Sequence, residues 1–150
     1  MTSEICVDAN LAVMWYTPEP LRENGVALLD ECSRLGTRIV APDVIFAEAG
    51  SAIRRKVHRG ILELDEGRVA LSLLADAQID CVSVLDLFDA AWDIAARHRL
   101  PTLYDAYYMA LAEACGCDLW TADERLINSV QGVPYLHNIA EFAPGALESQ

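Results

Sequence analysis

Four acidic residues, Asp8, Glu48, Asp105 and Asp123, occupy positions in this 150-residue sequence from which carboxylates do chemistry if the fold gathers them. Glu48 makes the strongest single case. In a helix spanning residues 43–58, its neighbours at i−4, i−3 and i+4 are Val44, Ile45 and Ala52. That places it in an apolar stripe, where a carboxylate is costly unless something compensates it. An arginine or a backbone group is the structural alternative. Asp8 ends the short apolar run EICVD, and could simply mark a strand's end. Asp105 and Asp123 each stand in the first turn of a helix, in LYDAYYMALAE and WTADERL. Capping offers both a structural explanation: Thr102 as N-cap with Asp105 at N3, and Thr121 as N-cap with Glu124 as the box acid. The helix dipole also favours Asp123 in a first turn.

Taken together, the four are harder to explain by capping. Converging carboxylates repel one another, and some are pushed to protonate. A hard divalent cation with oxygen ligands removes that penalty, and Mg²⁺ or Mn²⁺ suits such a site better than zinc. Two such ions about 4 Å apart activate a water and hold the leaving oxygen in phosphodiester cleavage.

The elements that must position these acids alternate along the chain. Strands are expected near residues 4–8, 38–41, 79–84, 118–121 and 135–139. Helices are expected over 20–35, with Pro20 in its first turn, over 43–58, from 64 or 65 to 75, over 87–98 behind an Asp86 cap, and from 103 onward. Residues 10–16 read as a loop or a short helix. This is an α/β pattern: one mostly parallel central sheet of about five strands with helices on both faces. Residues 1–150 form one domain, with its core over about 4–140 and a short polar tail. Ligands of such sheets sit outside the carboxyl ends of the strands, where Asp8, Asp105 and Asp123 would share one rim.

Composition narrows the function. Apolar residues make up 53% of the chain, yet no apolar run reaches the ~20 residues that span a bilayer. The N-terminal MTSEICVDANL carries two acids and no basic region, so a signal peptide is not expected and the cytoplasm is the default location. Five cysteines, Cys6, Cys32, Cys81, Cys115 and Cys117, mostly within apolar runs, read as reduced core thiols; the spacing of Cys115 and Cys117 is wrong for a CxxC motif.

The net charge of −12 argues against a surface that grips nucleic acid by broad phosphate neutralisation. It suits a basic partner, a bound divalent metal or plain solubility. The one concentrated basic stretch is RRKVHR, with Arg54, Arg55, Lys56 and Arg59 at the end of the Glu48 helix. It reads either as a solvated helix C-terminus or as a patch that positions phosphates beside the acids. Arg97, His98 and Arg99 make a weaker cluster. Trp15, Tyr16, Tyr107 and Tyr108 are candidates for stacking on bases, though core packing explains aromatics as well.

The segments VDANLAV, FAEAGSAIRRKVHRG, YDAYYMALAE and WTADERL, in this order and spacing, resemble PIN-domain proteins. More narrowly they resemble the VapC-type ribonuclease toxins of bacterial toxin–antitoxin pairs. The resemblance covers about residues 4–140. It implies a compact α/β fold and an acidic pocket for Mg²⁺ or Mn²⁺ built from Asp8, Glu48, Asp105 and Asp123. Thr121 matches a hydroxyl that supports the pocket, and Asn10 a position often filled by a small polar residue. It further implies RNA as substrate, a cognate antitoxin as inhibitor, and a homodimer.

Two other classes place acids at the ends of such a sheet. Phosphotransfer and receiver domains need a lysine from a late strand, and the chain's only lysine is Lys56. A dinucleotide-binding domain needs a GxGxxG after a strand, and none is present. A PIN-like module that binds partners without catalysis remains as the alternative to an enzyme.

Overall fold

The computed structural model describes residues 3–148. Its centre is a five-stranded, wholly parallel sheet in the order β3-β2-β1-β4-β5. β1 (Glu4–Val7), β2 (Arg38–Pro42) and β4 (Asp118–Thr121) are almost continuously apolar and buried, as strands covered on both faces must be. β3 (Asp80–Val82) and β5 (Leu136–Asn138) are short edge strands.

The helices are α1 (Ala9–Tyr16), α2 (Arg22–Leu35), α3 (Val44–His58), α4 (Leu64–Ala75), α5 (Phe88–His98), α6 (Tyr104–Cys115) and α7 (Glu124–Ser129). α6 packs on β1, β2 and β4 and carries α5 against it, while α1 joins α2, α3 and α4. Six of the twelve residues of α6 are buried, including Tyr108, Met109 and Leu111. No described helix is long and apolar enough to cross a membrane.

Several expectations need correction. Pro20 lies in the turn before α2, which starts at Arg22. Asp86 caps nothing: it lies within a 3-10 turn (Val84–Leu87) that Ser83 caps by accepting from the Leu85 N–H. The chain end is not a polar tail beyond a core that stops near 140. Phe142 and Leu147 are buried, and the carboxylate of buried Glu31 accepts the backbone N–H groups of Gly145 and Leu147 at 2.5 and 2.9 Å. That arrangement joins α2 to the last described turn. All five cysteines are free, but only Cys6 and Cys32 are core thiols; Cys81 and Cys115 are exposed.

Candidate active site

β1 and β4 run side by side, with Val7 paired to Trp120, so Asp8 and Thr121 emerge together at the carboxyl edge of the sheet. Asp8 caps α1: its Oδ1 accepts from the Leu11 N–H at 3.0 Å. Its Oδ2 accepts a short hydrogen bond from the Thr121 hydroxyl. Thr121 Oγ1 in turn accepts from the Asp123 N–H at 2.9 Å. Asp123 caps α7 through the Leu126 N–H at 3.2 Å. One hydroxyl thus fixes both acids.

The capping explanations fail in their original form. The N-cap of α7 is Asp123, not Thr121. α6 starts after Leu103 with no side-chain cap, so Thr102 and Asp105 make no capping box. Asp105 is left in the first turn without a backbone to satisfy. Glu48 lies half-buried at the margin of its helix's core stripe, which is Ile45, Ala49 and Ile53. Among the described residues neither an arginine nor the backbone satisfies it; its Oε1 accepts from the Tyr108 hydroxyl at 2.7 Å.

Asp8, Glu48, Asp105 and Asp123 line one cleft of about 320 Å³, with Asn10, Arg55, Arg99, Arg125 and Tyr108. Their electrostatics agree with that placement. Burial raises the Asp8 carboxyl to about 7, with further contributions from Asp123 and Asp105. The hydrogen bonds from Thr121 and the Leu11 N–H pull the other way. Burial also raises Glu48 and Asp105, with Asp105 acting on Glu48 and Asp123 acting on Asp105. Arg125 answers part of this charge, its guanidinium 3.2 Å from Asp123 and 3.7 Å from Asp105.

Among the described residues no three acidic, histidine or cysteine side chains close tightly on one point. The acids ring the cleft instead. The donor set is nonetheless all oxygen, burial and neighbouring acids raise the proton affinity of Asp8, Glu48 and Asp105, and a side-chain cation already sits between two members. Such a cleft suits a hard divalent ion.

The basic stretch divides. Arg55 reaches the cleft, whereas Arg54 lines an apolar hollow between α3 and α4. Lys56 is held by Glu19 at 2.6 Å and by the Pro18 carbonyl at 2.9 Å, and Arg59 is the C-cap of α3. Trp15 and Tyr108 are buried, which removes them as stacking platforms. Tyr16 and Tyr107 are half-buried. Arg125 escaped the sequence reading, since nothing local marks one exposed arginine two residues after an aspartate.

Comparison with known proteins now decides the family. The PIN-domain family model matches residues 5–131. This chain belongs to the PIN-domain family. Within it, this PIN domain is similar to ribonuclease VapC9 of Mycobacterium tuberculosis, 37% identical over 94 residues, covering 63% of this chain and 72% of the relative. Its fold is shared by the crystal structure of M. tuberculosis VapC20, described as a Sarcin-Ricin loop cleaving toxin (TM-score 0.62, 16% identity, 87% of this chain and 99% of the other). It is shared too by VapBC2 from Rickettsia felis, bound to a DNA fragment from their promoter (TM-score 0.61, 11% identity, 90% of this chain and 98% of the other).

Proposed function

We propose that this PIN domain is an endoribonuclease that hydrolyses RNA phosphodiester bonds with a divalent cation, as the toxin of a toxin–antitoxin pair. The observation that carries this is the meeting of Asp8, Glu48, Asp105 and Asp123, from four separate elements, in one cleft of a chain related to VapC ribonucleases.

Asp8, Asp105 and Asp123 would hold the cation, with Glu48 beside them. When bound, Mg²⁺ or Mn²⁺ offsets the carboxylates' mutual repulsion and polarises both a water and the phosphodiester. The chain's own residues do the rest. Thr121 holds Asp8 and Asp123 in fixed relation through its two hydrogen bonds. Tyr108 occupies Glu48 Oε1 and so orients the carboxylate, leaving Oε2 to accept a hydrogen from the attacking water. Arg55 contacts phosphate, and Asn10 at the cleft rim offers a neutral polar group to a flanking sugar or phosphate. Arg54, Lys56 and Arg59, turned to other tasks, are left out of this role.

A narrow cationic rim around an acidic centre reconciles phosphate binding with a net charge of −12. The grip is local. The resemblance to VapC-type toxins makes a protein antitoxin the partner we propose, with a cytoplasmic homodimer as the working form. Exposed Leu64, Val69, Leu71 and Leu73 on α4 supply apolar surface for such protein contacts.

The test is chelation. Purified protein cleaves RNA in Mg²⁺ or Mn²⁺, stops in EDTA, and resumes when the ion is restored. Cleavage that persists in EDTA overturns the mechanism.

A further inference from the structure

Beside the acidic cleft lies a second hollow, of about 400 Å³, lined by Trp92, Ala95, Ala96, Arg99, Leu100, Pro101, Thr102 and Leu103. It shares Arg99, Leu100, Pro101 and Thr102 with the cleft, so the two are continuous across one ridge. Trp92 on α5 is 69% exposed, the most exposed large apolar side chain among the described residues. Ala95 and Ala96 stand one turn on, and Leu100, Pro101 and Leu103 complete the hollow's apolar wall. An indole beside small residues is a flat platform open to one side.

Arg99 forms the ridge. It is the only described residue other than glycine with a positive φ, at 55°. The left-handed C-caps of α2 and α6 are Gly36 and Gly116, as sterics prefer. At the corresponding end of α5, beside the cleft, an arginine stands there instead. Strained positions of this kind accompany function. Arg34, Arg38 and Lys56 are each neutralised by carboxylates, whereas Arg99 has no acidic partner among the described residues.

We infer that the hollow beside Trp92 is a nucleotide subsite. It takes the base of an unpaired ribonucleotide flanking the scissile phosphate, stacked on the indole, with Arg99 on the phosphate between hollow and cleft. Trp92 and Arg99 are seven residues apart, about 10 Å along a helix axis, the reach of a nucleotide and its phosphate. Asp89 and Asp93 flank Trp92 on α5 and are exposed, so the hollow favours a neutral base and leaves the phosphate to the ridge. Base–aromatic stacking tolerates any base, which makes this a platform for single-stranded RNA rather than a reader of sequence. The inference deepens the endoribonuclease reading and rests on it.

The three tryptophans make the test direct. Trp15 and Trp120 are buried, so a quencher in solution reaches Trp92. In EDTA, titration with a short single-stranded RNA oligonucleotide quenches tryptophan emission, and the same duplexed oligonucleotide quenches far less. Trp92→Leu loses the quench and binds the single strand about tenfold or more weakly; Trp92→Tyr keeps most of the affinity. Arg99→Gly provides a variant that folds, because glycine relieves the left-handed strain. It keeps the melting temperature, weakens RNA binding, and lowers the salt slope by about one.

If the protein cleaves RNA but Trp92→Leu and Arg99→Gly bind the oligonucleotide like the parent, the subsite is wrong and the nuclease reading stands. If the protein cleaves no RNA under any divalent ion, the nuclease reading falls and takes the subsite with it. If Trp92→Leu converts a dimer to a monomer without changing oligonucleotide affinity per chain, the face is a contact between copies and the subsite is overturned.

Discussion

The Thr121 hydroxyl donates to the Asp8 carboxylate across two neighbouring strands and accepts the Asp123 N–H, so one buried side chain sets the relation between two cleft acids. Asp8 therefore depends on a partner 113 positions away. Thr121→Val keeps the shape and removes the hydroxyl. Partners of this kind are worth roughly 10- to 100-fold in metal affinity or activity. Calorimetric titration with Mn²⁺ should show that loss in affinity, together with a drop in stability from the unpaired Asp123 N–H. Unchanged Mn²⁺ affinity would show that the hydroxyl serves only the fold.

Asp8 also makes the stability of the metal-free protein depend on pH. Its carboxyl is raised by burial from 3.8 to about 7, so folding favours the protonated form. The stabilisation this gives is complete below the unfolded value and is lost as pH rises through 7. One unit is worth about 1.4 kcal/mol, and in a chain of this length 1 kcal/mol moves Tm by about 2–4 °C. In EDTA, Tm should fall by roughly 5–10 °C between pH 5 and pH 8. Asp8→Asn should flatten most of that slope and melt higher than the parent at pH 8. A variant that melts lower at pH 8 contradicts the electrostatic account.

Tyr108 acts on Glu48. Burial raises the Glu48 carboxyl, and the hydrogen bond from Tyr108 pulls it part-way back. Tyr108→Phe should move the acid limb of the pH–rate profile to higher pH and lower kcat by about tenfold. A purely structural tyrosine would lower Tm and leave the limb in place.

Glu31 predicts a variant that separates fold from activity. Its carboxylate is the acceptor for two backbone N–H groups of the last described turn. Glu31→Ala strands both, at about 1–3 kcal/mol each. Differential scanning calorimetry should show Tm lower by 5 °C or more, roughly what that loss implies at this size. The rate of RNA cleavage per folded molecule should stay near the parent's, since neither Glu31 nor residues 145–147 line the cleft.

Much of this was legible in the sequence because apolar runs and their punctuation are local signals. The buried runs at Glu4–Val7, Arg38–Pro42 and Asp118–Thr121 mark the strands of a parallel sheet without reference to anything distant. The site was less legible, and for one reason. Capping arguments see only four residues at a time, so Thr121 looked like a cap for its own helix when its partner is Asp8, just past the end of the adjacent strand. Glu48 was noticed as an acid on an apolar face, but its tyrosine partner lies 60 positions on. Arg125 and Trp92 carry no sequence mark, and Arg99 shows only as part of a weak basic cluster; the surfaces around them give them meaning. The buried turn near the chain's end was hidden similarly, since the Glu31 carboxylate that accepts its N–H groups lies 114 and 116 positions earlier.

The proposed chemistry turns on RNA cleavage in this PIN domain's acidic cleft. The most direct measurement compares the parent and Asp8→Asn on one RNA substrate in Mn²⁺, both confirmed folded by their melting curves. The account predicts cleavage by the parent and a loss of at least 100-fold in the variant, about 2.7 kcal/mol of transition-state stabilisation. Cleavage by Asp8→Asn at the parent's rate would contradict it.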